Sequence, residues 1–210
     1  INYNSENTNV ILGSRFETVS GSGTVTDTLC EKRFEISPQA FYQVNHDVCQ
    51  KLYGIVSNFA AADKNTRVLD LYCGIGTVGL CACPDAGELV GVEIVPQAVE
   101  NARKNAAVNG AENARFYECD AAGIAALNLG SFDVIIVDPP RRGCDAATLD
   151  FIIESRPLRL VYISCDCATL ARDIAILQKG GFAVSRAALA DMFPRTKHVE
   201  TVVLMTRKDT

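Results

Sequence analysis

Short apolar runs alternate with longer amphipathic stretches along the chain from Arg67 onward. Runs rich in Val, Ile and Leu are typical of buried β-strands, and apolar residues at every third or fourth position are typical of helices. Helices are expected between most of the strands, and the clearest extends from Pro96 to Asn109, because proline suits the first helical turn. The pattern predicts seven strands, which are Arg67–Tyr72, Glu88–Glu93, Ala114–Cys119, Phe132–Val137, Arg159–Ser164, Phe182–Leu189 and Val199–Met205.

This alternation predicts an α/β fold built on a mostly parallel, doubly wound sheet. The last two strands are joined only by a loop that contains Asp191-Met192-Phe193-Pro194. Because so short a connection cannot form a parallel crossover, these strands are expected to pair antiparallel and to end the sheet in a C-terminal hairpin.

Residues 1–45 have a different pattern, in which short apolar segments and turn residues predict a small β-rich region. Asn45 can cap a helix that runs from His46 to about Ala61 and has one apolar face. We therefore divide the chain into a β-rich segment with a linker at 1–45 and a main α/β domain at 46–210. Strands of the first region are expected at Val10-Ile11-Leu12-Gly13 and within Phe16–Ile36.

The nine cysteines follow no disulfide-framework spacing, and they are expected to be reduced thiols in an intracellular, cytoplasmic enzyme. Two Cys-x-Cys pairs, Cys81-Ala82-Cys83 and Cys165-Asp166-Cys167, would ligate a metal only if they met in space. Zinc sites usually combine Cys-x-x-Cys spacing with histidine, and only His46 and His198 are available. No metal site is predicted.

The net charge of −5 differs from the basic surface that nucleic-acid-binding proteins commonly present. A nucleic-acid partner would need a local basic patch or a domain beyond this chain. No apolar run approaches the roughly 20 residues that cross a bilayer, and there is no signal-peptide pattern, so no membrane partner is expected. Because the chain begins at Ile1 without a methionine, we expect it to be part of a longer protein. The oligomeric state is not predicted.

A glycine-rich segment follows the first strand of the main domain and precedes a helix. Gly74, Gly76 and Gly79 form a Gly-x-Gly-x-x-Gly motif, which lets the backbone turn tightly and presents helix N-terminal amides to a ligand. Glu93 ends the next strand and can accept hydrogen bonds from a ribose diol. The motif is compatible with two cofactors, S-adenosylmethionine and a dinucleotide. The alternative is a tight turn that binds no ligand.

Acidic residues near the ends of three strands favour S-adenosylmethionine over a dinucleotide. Asp70 precedes the loop, where it would repel a pyrophosphate but suit a sulfonium or an amino group. Asp120 follows the third strand and can read an adenine amine. Asp138-Pro139-Pro140-Arg141 follows the fourth strand and is similar to the tetrad of many nucleobase methyltransferases.

Cys165 lies directly after an apolar strand and before a helix. Chemistry in open α/β sheets gathers at the carboxyl ends of the strands, so a cysteine there is a candidate nucleophile. The alternative is a small buried hydrophobic residue.

Taken together, these motifs resemble the RNA uracil-C5 methyltransferase family, which makes 5-methyluridine in ribosomal or transfer RNA. The similarity covers nearly the whole chain, and its specificity comes from the order of the motifs. They are Asn9–Gly13, Ile36–Asn45, Leu69–Thr77, Gly91-Val92-Glu93, Ala98–Ala102, Asp138–Arg141, Ser164-Cys165, Asp191–Pro194 and His198-Val199-Glu200.

The resemblance implies a Rossmann-like class I S-adenosylmethionine-dependent methyltransferase, with Cys165 as nucleophile and Glu200 as general base. It assigns Gln43, Tyr72, Thr77, Glu93 and Asp138 to the cofactor or the site beside it. The glycine loop and the end of the third strand add Gly74, Gly76 and Asp120 to the predicted cofactor site. The substrate-positioning residues that the resemblance implies are Asp138, Pro139, Pro140 and Arg141. Asp166-Cys167 stand where the family usually has Asn-Pro, and Asp166 is expected to raise the pKa of the Cys165 thiol.

RNA is the expected partner, and the Ser37–Asn45 segment favours the 23S ribosomal RNA branch of the family over the transfer RNA branch. The family's RNA-binding β-barrel and iron–sulfur cysteines are not in this chain. Alternatives are a nucleobase methyltransferase that does not use the cysteine, a nicotinamide-dependent oxidoreductase and a non-catalytic RNA-binding domain. Candidate contacts to RNA phosphate are Arg141, Arg142, Arg172, Arg195 and Lys197, although Arg172 has Asp173 and Asp166 as alternative partners.

Overall fold

The computed structural model describes residues 1–5, 12–13, 15–196 and 198–208. The strand predicted at Val10–Gly13 lies largely outside these residues, as does the candidate phosphate contact Lys197. Two antiparallel pairs of strands precede the main sheet. They are β1 (Asn2–Tyr3) with β2 (Arg15–Phe16), and β3 (Val25–Leu29) with β4 (Lys32–Ile36).

A seven-stranded sheet forms the centre of the molecule, in the order β10-β11-β9-β8-β5-β6-β7. Strand β11 runs antiparallel to both of its neighbours, and the other neighbouring strands are parallel. The mostly parallel sheet and its antiparallel C-terminal hairpin are therefore confirmed. The strands are β5 (Arg67–Leu71), β6 (Glu88–Glu93), β7 (Ala114–Glu118), β8 (Val134–Val137), β9 (Arg159–Ser164), β10 (Phe182–Ala190) and β11 (Glu200–Arg207).

Polar side chains cap several of the helices at their first turns. Asn45 accepts a hydrogen bond from the Val48 N–H, as the sequence predicts, and Asp145 accepts one from the Thr148 N–H. Among the described residues, no helix has both the length and the hydropathy to cross a membrane. The helices are α1 (His46–Ala60), α2 (Thr77–Ala82), α3 (Pro96–Val108), a 3₁₀ helix (Ala121–Leu127), α4 (Ala146–Ser155) and α5 (Cys167–Lys179).

Apolar residues of the central strands point alternately to the two faces of the sheet, and both faces are buried. Ile136 belongs to one hydrophobic cluster, and its neighbours Ile135 and Val137 belong to the other. The first cluster also includes Leu29 and Phe34 of the β3–β4 hairpin. This burial on both sides explains why the strands are near-continuous apolar runs.

The division of the chain into a β-rich segment at 1–45 and a main α/β domain at 46–210 stays a prediction.

The register of the sheet brings the predicted site residues to one edge. Leu71 pairs with Val92 on one side and with Val137 on the other. Because parallel strands end at the same edge, the residues that follow them converge there. The carboxyl ends of β5, β6, β8 and β9 therefore form one wall of polar groups.

Candidate functional site

A cavity of about 630 Å³ opens at the carboxyl ends of the parallel strands. It brings together the predicted site residues from seven separate chain segments, with the exception of Gly76, which does not line it. Those that line the cavity are Gln43, Tyr72, Gly74, Thr77, Glu93, Asp120, Asp138, Pro139, Pro140, Arg141, Cys165 and Glu200.

The glycine loop turns sharply from β5 into α2. Gly74 and Gly76 have positive φ angles of 53° and 84°, which glycine adopts without steric cost. A side chain at Gly76 would also lie 3.1 Å from the Phe116 ring. Gly76 is thus required by the turn and by packing, although it is not exposed to the cavity.

Glu93 and Thr77 are held in the cavity wall by hydrogen bonds. One carboxylate oxygen of Glu93 accepts from the Gly74 N–H at 3.1 Å, and the other accepts from the Val95 N–H at 2.9 Å. Tyr53 donates a hydrogen bond to the Thr77 hydroxyl at 3.1 Å. These bonds fix the loop relative to both β6 and α1.

Asp70 lies beneath the loop rather than in the cavity, so the expectation that it faces a sulfonium or amino group is wrong. Its side chain is fully buried, and one oxygen accepts a hydrogen bond from the Gly79 N–H at 2.9 Å. Burial raises the pKa of Asp70 to about 7, and the nearby Glu93 adds to this shift against the Gly79 hydrogen bond. The carboxyl group holds the first turn of α2 beneath the loop.

Cys165 and Glu200 come together because β9 and β11 are antiparallel. Thr201 pairs with Ser164, so the residues one step further, Glu200 and Cys165, lie side by side at the cavity. Burial raises the pKa of the Cys165 thiol, and Glu200 and Asp138 raise it further, whereas Arg141 lowers it. Burial also raises the pKa of Glu200, again opposed by Arg141.

Asp166 has a different role from the one its sequence position predicts. Its carboxylate caps α5 by accepting hydrogen bonds from the N–H groups of Ala168 and Thr169, both at 3.0 Å. These bonds lower the pKa of Asp166. The acidic groups that raise the pKa of the Cys165 thiol are instead Glu200 and Asp138, which come from other strands.

Asp138 is the most strongly shifted carboxyl group that lines the cavity. Desolvation raises its pKa to about 8, with further contributions from the negative charges of Glu200 and Asp70. Burial therefore favours the protonated form of Asp138, in which its carboxyl group can donate a hydrogen bond.

Other cavity residues are not evident from sequence motifs. Tyr53 is buried on the apolar face of α1, where helical periodicity indicates only a core residue. Phe41 and Phe193 lie at the cavity and are 74% and 39% exposed. The Asn45 side chain, besides capping α1, donates a hydrogen bond to the Met192 carbonyl at 2.9 Å and so holds the Phe193 loop beside α1.

The arginines fall into two groups. Arg141 and Arg142 line the cavity, and their contacts to RNA phosphate stay a prediction. Arg172 instead forms an ion pair with the buried Asp173 at 2.7 Å, which confirms one of its two alternative partners. Arg195 is not among the residues that line the cavity.

Residues 16–208 match the tRNA (Uracil-5-)-methyltransferase family. A protein of Enterococcus faecalis described as an uncharacterized RNA methyltransferase is 43% identical, over 98% of this chain and 46% of that protein. A similarly described protein of Bacillus cereus is also 43% identical, over 98% of this chain and 45% of its own length. The chain thus spans about half the length of these relatives.

Solved structures are similar in fold. The Pyrococcus abyssi tRNA (uracil-54, C5)-methyltransferase, solved with S-adenosyl-L-homocysteine, aligns with a TM-score of 0.82 and 28% identity, over 97% of this chain and 49% of that one. Magnesium protoporphyrin IX methyltransferase from Synechocystis, solved with bound SAM, aligns with a TM-score of 0.61 over 78% of this chain and 81% of that one. Its identity of 17% makes this second likeness one of fold alone.

Proposed function

The chain belongs to the tRNA (uracil-5-)-methyltransferase family, and we propose that it transfers a methyl group from S-adenosylmethionine to C5 of a uridine in RNA. The observation that carries the proposal is the meeting of Cys165, Glu200 and Asp138 at the cavity that also contains the glycine loop. A nucleophile, a carboxylate and a cofactor loop from separate strands are the groups that this reaction needs.

The charges and hydrogen-bonding groups of the cavity fit S-adenosylmethionine, which supplies an electrophilic methyl group on a positively charged sulfonium. Glu93 and Asp120 provide carboxylates for the ribose and adenine ends. The Gln43 Oε1 atom is buried and has no hydrogen-bond partner within the described residues. Such an orphaned acceptor suits a polar ligand, because leaving it unpaired is costly.

Uracil C5 is a weak nucleophile, and Cys165 is proposed to overcome this by covalent catalysis. The thiolate of Cys165 forms a bond to C6, and the π electrons of the C5–C6 double bond move towards the O4 carbonyl, which makes C5 nucleophilic. C5 then bonds to the methyl group as the bond from sulfur to that methyl breaks.

Glu200 is proposed to complete the reaction as general base. Its carboxylate takes the proton from C5, the C5–C6 double bond re-forms, and the bond from C6 to Cys165 breaks to release the thiolate. Arg141 lowers the pKa of both Cys165 and Glu200, so it favours the ionised form that each step requires. A target uridine in structured RNA has to be flipped out of its stack to reach this cavity.

Ribosomal RNA is proposed as the substrate, on the basis of the Ser37–Asn45 segment. Transfer RNA is the second candidate, favoured by the solved relative that acts on uracil-54 of tRNA. The deciding measurement is the mapping of 5-methyluridine in both RNAs from cells that lack the gene. Loss of one 5-methyluridine from 23S RNA supports the first candidate, and loss from tRNA alone supports the second.

Incubation of the protein with S-adenosylmethionine and 5-fluorouridine RNA tests the mechanism, because fluorine at C5 blocks the final elimination. A covalent complex is expected with the native protein, and none is expected with Cys165→Ala.

Normal methylation by Cys165→Ala would favour a nucleobase methyltransferase that does not use the cysteine. Binding of NADH but not S-adenosylhomocysteine would favour an oxidoreductase, and failure to bind S-adenosylhomocysteine at all would favour a non-catalytic RNA-binding domain.

A further inference from the structure

Three asparagines at intervals of four residues, two in helix α3 and one directly after it, hold the edge of strand β4. Asn109, which follows the helix, accepts a hydrogen bond from the Arg33 N–H at 2.9 Å and donates one to the Arg33 carbonyl at 2.7 Å. Asn105 accepts from the Glu35 N–H at 2.7 Å and donates to the Glu35 carbonyl at 3.2 Å, and Asn101 donates to the same carbonyl at 3.2 Å. The helix thus supplies the backbone partners that a neighbouring strand would normally provide.

Asn105 makes one further contact that the other two asparagines do not make within the described residues. Its amide nitrogen donates to the Ile75 carbonyl at 3.1 Å, in a fully buried environment. Ile75 stands between Gly74 and Gly76 in the glycine loop and lines the cavity. A single side chain therefore connects β4 to the turn of the glycine loop.

The two segments that Asn105 joins form different walls of the cavity. Beyond Glu35, the chain leads through Ile36 to Phe41 and Gln43, which line one side. The glycine loop forms the other side. Asn105 is 1% exposed, and its bond to the Ile75 carbonyl is buried, where an unpaired backbone group is most costly.

We infer that Asn105 is a positioning residue, which sets the distance between the glycine loop and the Phe41–Gln43 segment for cofactor binding. This inference rests on the proposed function. The asparagine amide suits the task because it has one carbonyl acceptor and two N–H donors, and here the acceptor serves the Glu35 N–H while the donors serve the Glu35 and Ile75 carbonyls. Neither an alanine nor a carboxylate can make this set of bonds.

The chain offers two matched controls, because Asn101 and Asn109 bond to the same hairpin and, among the described hydrogen bonds, make none to the glycine loop. Asn101 is also fully buried, at 0% exposure, so Asn101→Ala removes a comparable side chain from the same interface. The experiment measures S-adenosylhomocysteine binding by calorimetry and the melting temperature for the native protein, Asn105→Ala, Asn101→Ala and Asn109→Ala. If Asn105→Ala does not fold, Asn105→Asp replaces it, since this change leaves no cavity.

Asn105→Ala is expected to raise the Kd for S-adenosylhomocysteine roughly five- to twentyfold, because this is the effect of losing one buried hydrogen bond. Each control is expected to raise the Kd by about twofold or less. A merely structural role would lower the melting temperature in all three variants without this difference in Kd. An unchanged Kd in Asn105→Ala, or an equal rise in Asn101→Ala, overturns the inference.

Backbone hydrogen exchange of the ligand-free protein tests the inference separately from the proposed function. Asn105→Ala is expected to speed exchange at residues 73–77, and Asn101→Ala is expected to leave it unchanged. Equal exchange in the two variants contradicts the positioning role. Failure of the native protein to bind S-adenosylhomocysteine would instead overturn the proposed function, while the exchange result would still decide the role of Asn105.

Discussion

Glu200 lies beside Cys165 because Thr201 and Ser164 are paired in adjacent antiparallel strands. This proximity has an electrostatic cost, since the carboxylate raises the pKa of the thiol that has to ionise. Arg141 opposes the effect by lowering the pKa of both groups. The balance of charge around Cys165 therefore depends on groups from other chain segments, which are Glu200, Asp138 and Arg141.

The pKa of the Cys165 thiol is expected to fall in Glu200→Gln and to rise in Arg141→Met. The first change removes a negative charge that disfavours the thiolate, and the second removes a positive charge that favours it. The measurement is the pH dependence of alkylation of Cys165 by iodoacetamide, followed by mass spectrometry. At a fixed pH near neutrality, labelling should be faster in Glu200→Gln and slower in Arg141→Met than in the native protein.

Cys167 provides the internal control for this labelling, because it is exposed and lies on the same peptide. Its labelling rate should be nearly the same in all three proteins, and a Cys167→Ser background removes any ambiguity of assignment. Equal shifts at both cysteines would show a general change in reactivity and contradict the specific electrostatic effect.

Glu200→Gln is expected to slow turnover by roughly 10²- to 10⁴-fold, the usual contribution of a general base. The amide cannot take the proton from C5, so methyl transfer should occur once and leave the protein covalently bound to the RNA. Gel electrophoresis under denaturing conditions should reveal this complex with ordinary uridine RNA, labelled through the transferred methyl group. Full turnover by Glu200→Gln would remove Glu200 from the role of base.

Much of the fold follows from local sequence pattern, because strands buried on both faces are apolar at consecutive positions. Candidate site residues could be predicted where they end or directly follow such strands, as Glu93, Asp138 and Cys165 do. The pattern fails where tertiary contacts decide orientation. Asp70 is inside β5 and points under the loop, whereas Asp166 turns away from Cys165 to cap α5.

Motif analysis also misses residues whose side chains hold a cavity residue in place. Tyr53 has the periodicity of a core residue, yet its hydroxyl group donates to Thr77 at the cavity. Asn105 is part of a polar pattern on α3 that is ordinary for a surface helix. Its role is evident only when β4 and the glycine loop are seen on either side of it.

Asp70→Asn is expected to stabilise the protein increasingly as the pH rises from 4 to 8. The pKa of Asp70 is raised to about 7 in the folded protein, against its ordinary value of 3.8. Between these two pH values Asp70 is ionised in the unfolded chain but still protonated in the folded protein. The contribution of Asp70 to the free energy of unfolding is therefore fully present below the lower pKa and is lost as the pH rises through the upper one. The difference in unfolding free energy between variant and native protein should grow by about 4 kcal/mol.

Urea denaturation at several pH values measures this difference. Asp63→Asn is a useful control, because the pKa of Asp63 is lowered by hydrogen bonds from Thr66 and Asn65 and its effect has the opposite sign. If the free energy of unfolding changed with pH in the same way in Asp70→Asn and in the native protein, the raised pKa of the buried Asp70 carboxyl group would be contradicted.

Arg172→Lys is expected to destabilise the protein, because it breaks charge-assisted hydrogen bonds that a lysine cannot replace. Arg172 donates to the carboxylate of the buried Asp173 at 2.8 Å and to the carbonyls of Arg142 and Cys144 at 2.9 and 3.1 Å. The planar guanidinium reaches all three acceptors together, whereas an ammonium group is a single point of charge.

The same bonds hold the loop that carries Arg141, so the change should also reach the chemistry. Alkylation of Cys165 should slow in Arg172→Lys as it does in Arg141→Met, since a loosened loop moves the guanidinium away from the thiol. Arg186→Lys is the matched control, because Arg186 is exposed and its described interactions, a hydrogen bond to the Asn58 side chain and a cation–π contact with the Phe59 ring, do not involve the Arg141 loop. Denaturation should detect a change of about 0.5 kcal/mol or less for this control. A loss of stability in Arg172→Lys with native labelling at Cys165 would mean that the Arg172–Asp173 pair stabilises the fold without positioning Arg141.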